Sequence, residues 1–266
     1  MAAHRLRLLV LLAAFALLAA SCGDDGEAAA VDPGDGLGEP ALAGDITVSA
    51  AASLTEAFTA IGEAFEAAHP GTSVTFNFGA SSTLVRQINE GASADVFASA
   101  DQANMKKLTD AANAAGEPVV FATNRLQIIT AAGNPKGITT VADLADPELV
   151  VVTCGEDVPV GRYAAEVFSK AGVTVTPKSY EADVKAVVNK VTLGEADAGV
   201  VYATDVKAAG SKATGIDIPD DVNVIATYPI AMTKAAGNRA VADAFVAFVL
   251  SDEGQSILAD AGFGSP

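Results

Sequence analysis

Cysteine is scarce in this chain, with only Cys22 and Cys154 in 266 residues. Two cysteines cannot build a disulfide framework or a paired-cysteine metal site. With Cys22 assigned to processing (below), Cys154 is alone and reads as a small buried apolar residue. Histidine is equally scarce: His4 lies in a basic leader, and His69 sits in a His69-Pro70-Gly71 turn with no evident partner for acid–base chemistry. There is no HExxH, no Walker-type loop and no GxGxxG after a strand. Positive charge is the third shortage. There are 16 Lys and Arg against 33 Asp and Glu, a formal charge of −17, and loss of Arg5 and Arg7 with the leader takes the mature chain to −19. Such a surface argues against nucleic acid and anionic lipid as partners. It also repels a small anion at long range, but screening over roughly 8 Å leaves a recessed site to its local donors. Any anion site here must work by short-range hydrogen bonds.

Long apolar runs are limited to one. Met1 to Arg7 is basic, Leu8 to Ala20 is an unbroken apolar stretch of thirteen residues, and Ala20-Ser21-Cys22 follows. This is the pattern of a signal peptide over residues 1–21, too short to span a membrane comfortably. The exit resembles a bacterial lipobox, which implies that Cys22 becomes the lipidated first residue of the mature protein; a plain secretory cleavage with Cys22 incidental is the alternative reading. The following stretch carries Asp24, Asp25, Glu27, Asp32, Asp35 and Glu39 among Gly and Pro. It cannot bury enough apolar surface to offset its ordering entropy, so residues 22–44 are expected to be a disordered acidic tether.

What is present from residue 45 onward is an alternation of strand and helix signals. Ile46-Thr47-Val48 is β-rich, and Leu54, Phe58, Ile61, Phe65 and Ala68 recur at helical spacing until His69-Pro70-Gly71. Further strands are expected at Ser73–Phe78 and Asp95–Ala98, with helices at Thr83–Glu90 and around Met105 and Leu108. Pro118–Thr130 holds two apolar runs broken by Thr123-Asn124-Arg125, where a strand can pass from one lobe to another. The grammar then repeats: strand Val150–Thr153, loop Val158–Gly161, helix Arg162–Lys170, strand Val173–Thr176, a helix through Val184, Val187, Val188 and Val191, and buried strand Ala198–Tyr202. Val224–Met232 reads as a strand containing Pro229, and a helix over Arg239–Leu250 is expected to close the chain by packing back onto the first lobe. Repeated units of this kind predict a parallel-rich α/β fold, with any ligand in the cleft where strand ends and helix starts converge.

The chemistry on offer is donor chemistry. Two serine-bearing helix starts follow two strands, each preceded by small residues: Ala50-Ala51-Ala52 before Ser53, and Gly79-Ala80 before Ser81 and Ser82. The unpaired N–H groups of a helix start, beside a serine hydroxyl, hold an anion. Ser53-Leu54-Thr55-Glu56 is equally a capping box, with Ser53 a helix cap and Glu56 reaching back to it. Neither serine has a base in view that would make it a nucleophile, so an enzyme is not expected.

In that order and at family-like spacing, AAASLTEAF, GASSTLVRQI, ADVFASAD, VPVGRYA and ADAGVVYATD resemble the ModA-type periplasmic molybdate-binding proteins of ABC importers, from about Asp45 to the C-terminus. The resemblance implies a two-lobed periplasmic-binding-protein fold of type II with two chain crossovers. Its lobes would be residues 45–123 plus 228–266, and residues 124–227. It also implies molybdate, with tungstate alongside, held through its oxygens by neutral donors and without a cofactor. Those donors would be the hydroxyl and N–H groups of Ser53 and Ser81, the N–H groups of Val160 and Val184, and the phenol of Tyr202. Glu181 and Asp183 flank Val184, either capping the helix or facing the ligand, and Tyr202 at a buried strand end also fits a core role. Arg86, Arg125 and Arg162 are expected to snorkel or pair with surface acids. The implied partner is a membrane ABC permease. The implied protein is an extracytoplasmic monomer that meets the membrane through a lipid anchor only. A receptor for another tetrahedral oxyanion such as sulfate, or a non-transport lipoprotein or enzyme on the same fold, are the alternatives.

A fully deprotonated dianion accepts hydrogen bonds and donates none, so a site of donors fits it and leaves the hydroxyl of hydrogen phosphate unpaired.

Overall fold

The computed structural model describes residues 42–266. The signal peptide, Cys22 and residues 22–41 of the acidic tether lie outside the described residues. Strand β1 (Gly44–Ala51) begins at the last residue assigned to the tether and buries Ile46, Val48 and Ala50. It runs parallel to β2 (Thr72–Gly79), with Gly44 opposite Thr72 and Ala51 opposite Gly79. Parallel neighbours need a crossover. Here it is a 3₁₀ turn (Ala52–Leu54) and α1 (Thr55–Ala68), whose Phe58, Ile61 and Phe65 face inward at helical spacing. After His69 and Pro70 the chain reverses at Gly71, whose φ of +102° suits a residue without a Cβ.

Helix α2 (Ser81–Asn89) leads to β3 (Val96–Ala98), parallel to β1, and α3 (Gln102–Asp110) leads to β4 (Val119–Ala131). Then come β5 (Val151–Cys154), α4 (Pro159–Lys170), β6 (Ser179–Glu181), α5 (Val184–Thr192), β7 (Ala198–Tyr202), α6 (Ala203–Ala209), β8 (Ala213–Asp217) and β9 (Ile225–Met232). Two helices, α7 (Arg239–Leu250) and α8 (Asp252–Ala261), complete the described residues.

The long strand β4 belongs to two sheets. From Val119 to Arg125 it pairs antiparallel with β9, which itself borders β3. From Leu126 onward it pairs antiparallel with β7, and from Gln127 also with β8, while β5 lies parallel to both β7 and β6. The switch falls beside Asn124, a buried residue whose amide donates to Thr204 Oγ1 at 2.9 Å. Thr123-Asn124-Arg125 is thus the polar break expected at a crossing. An aromatic cluster fills the first half: Phe58, Phe65, Phe76, Phe121 and Phe245 meet with ring centroids 5.4 to 6.2 Å apart, mostly tilted or edge to face. The C-terminal helices pack back on α1 as expected. Beyond them, Gly264 and Thr123 exchange backbone hydrogen bonds of 2.8 and 2.9 Å.

Four expectations are corrected. Val158–Gly161 is not a loop but the entry and first turn of α4, with Pro159 at the first helical position, where a missing N–H costs nothing. Val173–Thr176 is not a strand. Pro177 follows it, and pairing with β5 starts only at the next N–H, from Lys178 to the Val151 carbonyl at 2.8 Å. Helix α7 does not close the chain, because Ser251 caps a further helix by accepting from the Gly254 N–H. Helix α6 and strand β8 follow Tyr202 in a stretch from which the sequence predicts no elements.

Candidate functional site

Four element starts and one strand end meet at one cavity of about 20 Å³. Ser53 comes from the 3₁₀ turn after β1, Ser81 from the first residue of α2, Val160 from the first turn of α4, Val184 from the first residue of α5, and Tyr202 from the end of β7. All five expected site residues therefore line a single space. The rest of its wall is mostly small: Ala51, Ala52, Gly79, Ala80 and Ala100 bring backbone close to the cavity. First-turn N–H groups have no intrahelical acceptor, so helix starts supply donors at the lining.

The hydroxyls are positioned by neighbours. Ser81 Oγ accepts the Ala100 N–H at 3.0 Å, which leaves its own proton to give elsewhere. Ser53 Oγ lies 2.9 Å from the Tyr228 hydroxyl, and both residues are buried. Tyr202 is 1% exposed, and its hydroxyl has no hydrogen-bond partner among the described residues. Burial first, and then the neighbouring Tyr228, Tyr163, Asp101 and Asp205, push its phenol well above the ordinary tyrosine range, so it is a neutral donor at any physiological pH. A buried polar atom left unpaired costs a folded protein on the order of 1–3 kcal/mol; among the described residues Thr153 Oγ1 and Asp205 Oδ1 share this condition, but of the three residues only Tyr202 lines the cavity.

The capping box read at Ser53 does not form. The 3₁₀ turn intervenes, α1 starts at Thr55, and the Thr55 hydroxyl donates to the Ala52 carbonyl at 2.7 Å. Glu56 turns instead to Lys185 of α5, with contacts of 2.7 and 2.9 Å. Likewise Ser81 and Ser82 do not precede a helix that begins at Thr83; they are its first turn. The two acids beside Val184 both have structural partners. Asp183 caps α5 by accepting from the Ala186 N–H at 3.0 Å, although it also borders the cavity. Glu181 takes hydrogen bonds from Ser179 (2.6 Å) and pairs with Lys190 (2.7 Å). Partial burial works to raise its pKa, but Lys190 and Ser179 hold it below the usual value.

Arg125 pairs with exposed Asp220, as expected, whereas Arg162 departs from the expectation of a surface acid and reaches across to buried Asp101. Neither lines the cavity, and among the described residues no three His, Cys, Asp or Glu side chains gather as a metal-ligand set. The described chain holds Cys154 buried and free. The arrangement can therefore offer a guest neutral N–H and O–H groups, with one capped carboxylate at the edge.

Sequence reading missed Tyr228, together with Asn124 and the Lys185 network behind the cavity. Tyr228 lies in the expected strand around Pro229, but which residue of that strand meets Ser53 depends on β9 lying between β3 and β4. No local pattern carries that information.

A family model for bacterial extracellular solute-binding proteins matches residues 46–264. The molybdate-binding protein ModA of Mycobacterium tuberculosis is 45% identical over 221 residues, covering 83% of this chain and 85% of its own length. Among solved structures, the periplasmic molybdate-binding protein of Azotobacter vinelandii superposes with a TM-score of 0.73 at 20% identity, covering 83% of this chain and 99% of its own. The sulfate-binding protein SubI of M. tuberculosis superposes with a TM-score of 0.76, also at 20% identity, covering 82% and 86%. At that identity the two structures speak for the fold, the two-lobed type II periplasmic-binding architecture in which β4 is one of the crossing strands. The chain belongs to the bacterial extracellular solute-binding proteins, in the group that contains the ModA molybdate-binding proteins.

Proposed function

We propose that this chain is the extracytoplasmic substrate-binding protein of an ABC importer, and that it captures molybdate, with tungstate alongside, for delivery to a membrane permease. The observation that carries this reading is Tyr202: a fully buried, protonated phenol with no partner lines a cavity otherwise walled by helix starts and serine hydroxyls. Asp183 also lines the cavity, but its carboxylate accepts the Ala186 N–H, so the groups left for a guest are chiefly donors and suit a guest that only accepts, which is the chemistry of a deprotonated tetrahedral dianion. Size points the same way, because a free volume of about 20 Å³ falls far below the roughly 300–1,000 Å³ of pockets for drug-sized ligands and leaves room for a small guest only. Charge-assisted bonds of about 1.5–3 kcal/mol each, from Ser53, Ser81, Val160, Val184 and Tyr202, can reach the roughly 12 kcal/mol of nanomolar binding after ordering and desolvation costs.

The reading includes further parts. The lobes are residues 45–123 plus 228–266, and residues 124–227, a division supported by the change of β4's partners after Arg125. The protein works as a monomer, without a cofactor, and holds to the membrane through a lipid on Cys22. It is not an enzyme: both cavity serines are tied to a phenol or a backbone N–H, and neither has a base. Sulfate is the second reading, favoured by the likeness to the SubI fold.

Thermal denaturation with molybdate, tungstate, sulfate and phosphate tests it. A ligand at a thousand times its Kd adds about 4 kcal/mol, which for a domain of this size is a rise in Tm on the order of 10 °C. Molybdate and tungstate are expected to give that rise and phosphate none. A response to sulfate alone would favour the second reading, and no response to any anion would overturn both.

A further inference from the structure

Lys185 does not line the cavity, yet its ammonium touches the supports of three residues that do. It is the second residue of α5, directly after Val184. Its Nζ donates to both carboxylate oxygens of Glu56, at 2.9 and 2.7 Å, and Glu56 stands in the first turn of α1, a few residues after Ser53. The same Nζ lies 3.2 Å from Oδ1 of Asp205, a buried carboxylate whose Oδ2 accepts the Tyr202 N–H at 3.2 Å. One cation thus joins the segments that carry Ser53, Val184 and Tyr202. Glu56 belongs to the helices of the first sheet and its two partners to those of the second, and α5 also packs directly against the 3₁₀ turn that holds Ser53. Burial works to lower the Lys185 pKa, but Asp205 and Glu56 raise it above the ordinary lysine value, so the group is an ammonium at physiological pH.

We propose that Lys185 is a positioning residue for anion capture: by bridging Glu56 and Asp205 it holds Ser53 of the first sheet at the spacing from Val184 and Tyr202 at which one small guest reaches all three. This rests on the oxyanion reading above. A cavity of about 20 Å³ makes that spacing exacting, because hydrogen bonds weaken steeply once donor and acceptor leave their narrow range of distance and angle. A bridge outside the cavity adds to affinity by raising the population of the arrangement that binds, without any contact to the guest. Glu56 is the member that tests this. It is half exposed, it belongs to the other sheet, and its loss leaves the Lys185–Asp205 pair in place. Its own charge opposes an anion, so its removal would strengthen binding if the bridge did nothing.

Calorimetric titrations and dissociation rates for molybdate, tungstate and sulfate at pH 7.5 would compare the wild type, Glu56→Gln, Lys185→Met/Asp205→Asn and the triple variant, with the Tm of the unliganded protein as the check on folding. The paired substitution removes the ammonium together with the carboxylate it would otherwise strand, and an asparagine there keeps an acceptor for the Tyr202 N–H. Glu56→Gln is expected to lower affinity by about 3- to 5-fold, by the same factor for every anion the wild type binds, chiefly through faster release and with Tm nearly unchanged. In the paired background the same substitution is expected to leave affinity level or raise it slightly. Affinity at or above the wild-type value in Glu56→Gln, a loss confined to one of the anions bound, or an equal loss in the paired background would overturn the proposal. If the paired variant does not fold, the sign of the change in Glu56→Gln decides alone. A wild type that binds none of the three anions would instead overturn the oxyanion reading and this proposal with it.

Discussion

A single oxygen separates the two roles open to Tyr202. As a core residue its hydroxyl would need a carbonyl or water, and its loss would destabilise the fold. As a ligand donor it is unpaired until the guest arrives, and its loss leaves the empty protein unharmed. The unpartnered, fully buried hydroxyl favours the second role. Tyr202→Phe is therefore expected to weaken molybdate binding roughly 10- to 150-fold, the worth of one charge-assisted hydrogen bond, while the Tm of the unliganded protein stays level or rises slightly. Titration calorimetry beside a melting curve checks both halves. At this scale the sequence was informative wherever a residue type is rare in its setting: a tyrosine ending an all-apolar strand, or serines after runs of alanine. It was silent on Tyr228, whose importance comes from which strand lies beside it. It also misjudged Glu56, because a glutamate three residues after a serine looks the same whether it reaches back to cap or outward to Lys185.

The elements were legible where apolar spacing is long and cleanly ended, as in α1, α5 and α7. They were misread where Pro or Gly has two meanings. The segment Val158-Pro159-Val160-Gly161 holds both residues and reads as a loop, but Pro159 begins α4 and Gly161 lets that helix approach the end of β5. A Cβ at Gly161 would run into the carbonyl oxygens of Gly155 and Cys154, which are backbone atoms and cannot swing away. Gly161→Ala is thus expected to cost about 2 kcal/mol or more, despite the higher helix propensity of alanine. Because the same turn carries Val160, the substitution is also expected to weaken anion binding. Denaturant unfolding and an anion titration on one preparation would measure the two effects. Stabilisation of the kind alanine usually brings to a helix would count against the close packing described here.

Across the whole molecule, charged pairs join the helices of the first sheet to those of the second: Glu56 of α1 with Lys185 of α5, and Asp101 before α3 with Arg162 of α4. Behind Lys185, at 3.2 Å, lies Asp205, which is 1% exposed and also accepts the Tyr202 N–H at 3.2 Å. Burial pushes Asp205 up from the usual 3.8 to about 6, against the pull of Lys185. Below pH 6 the folded protein then holds a proton that the unfolded chain releases until about pH 4. Stability from this group accordingly rises as pH falls through that window and is absent above it, an effect on the order of 3 kcal/mol. The difference in unfolding free energy between wild type and Asp205→Asn is expected to shift toward the wild type between pH 7.5 and pH 4. Urea titrations at several pH values would test this, and a difference independent of pH would refute it. None of this network was legible in the sequence, because its members come from three helices that only the folded chain brings together.

Arg125 and Ile225 are cross-strand partners, so the chain leaves the first sheet and re-enters it through adjacent positions. Of the residues around the cavity, Val160, Val184 and Tyr202 come with the second sheet, and Ser53 and Ser81 with β1 and β2 of the first. A guest hydrogen-bonded to both groups is therefore a cross-link between the sheets, in parallel with the Glu56–Lys185 and Asp101–Arg162 pairs.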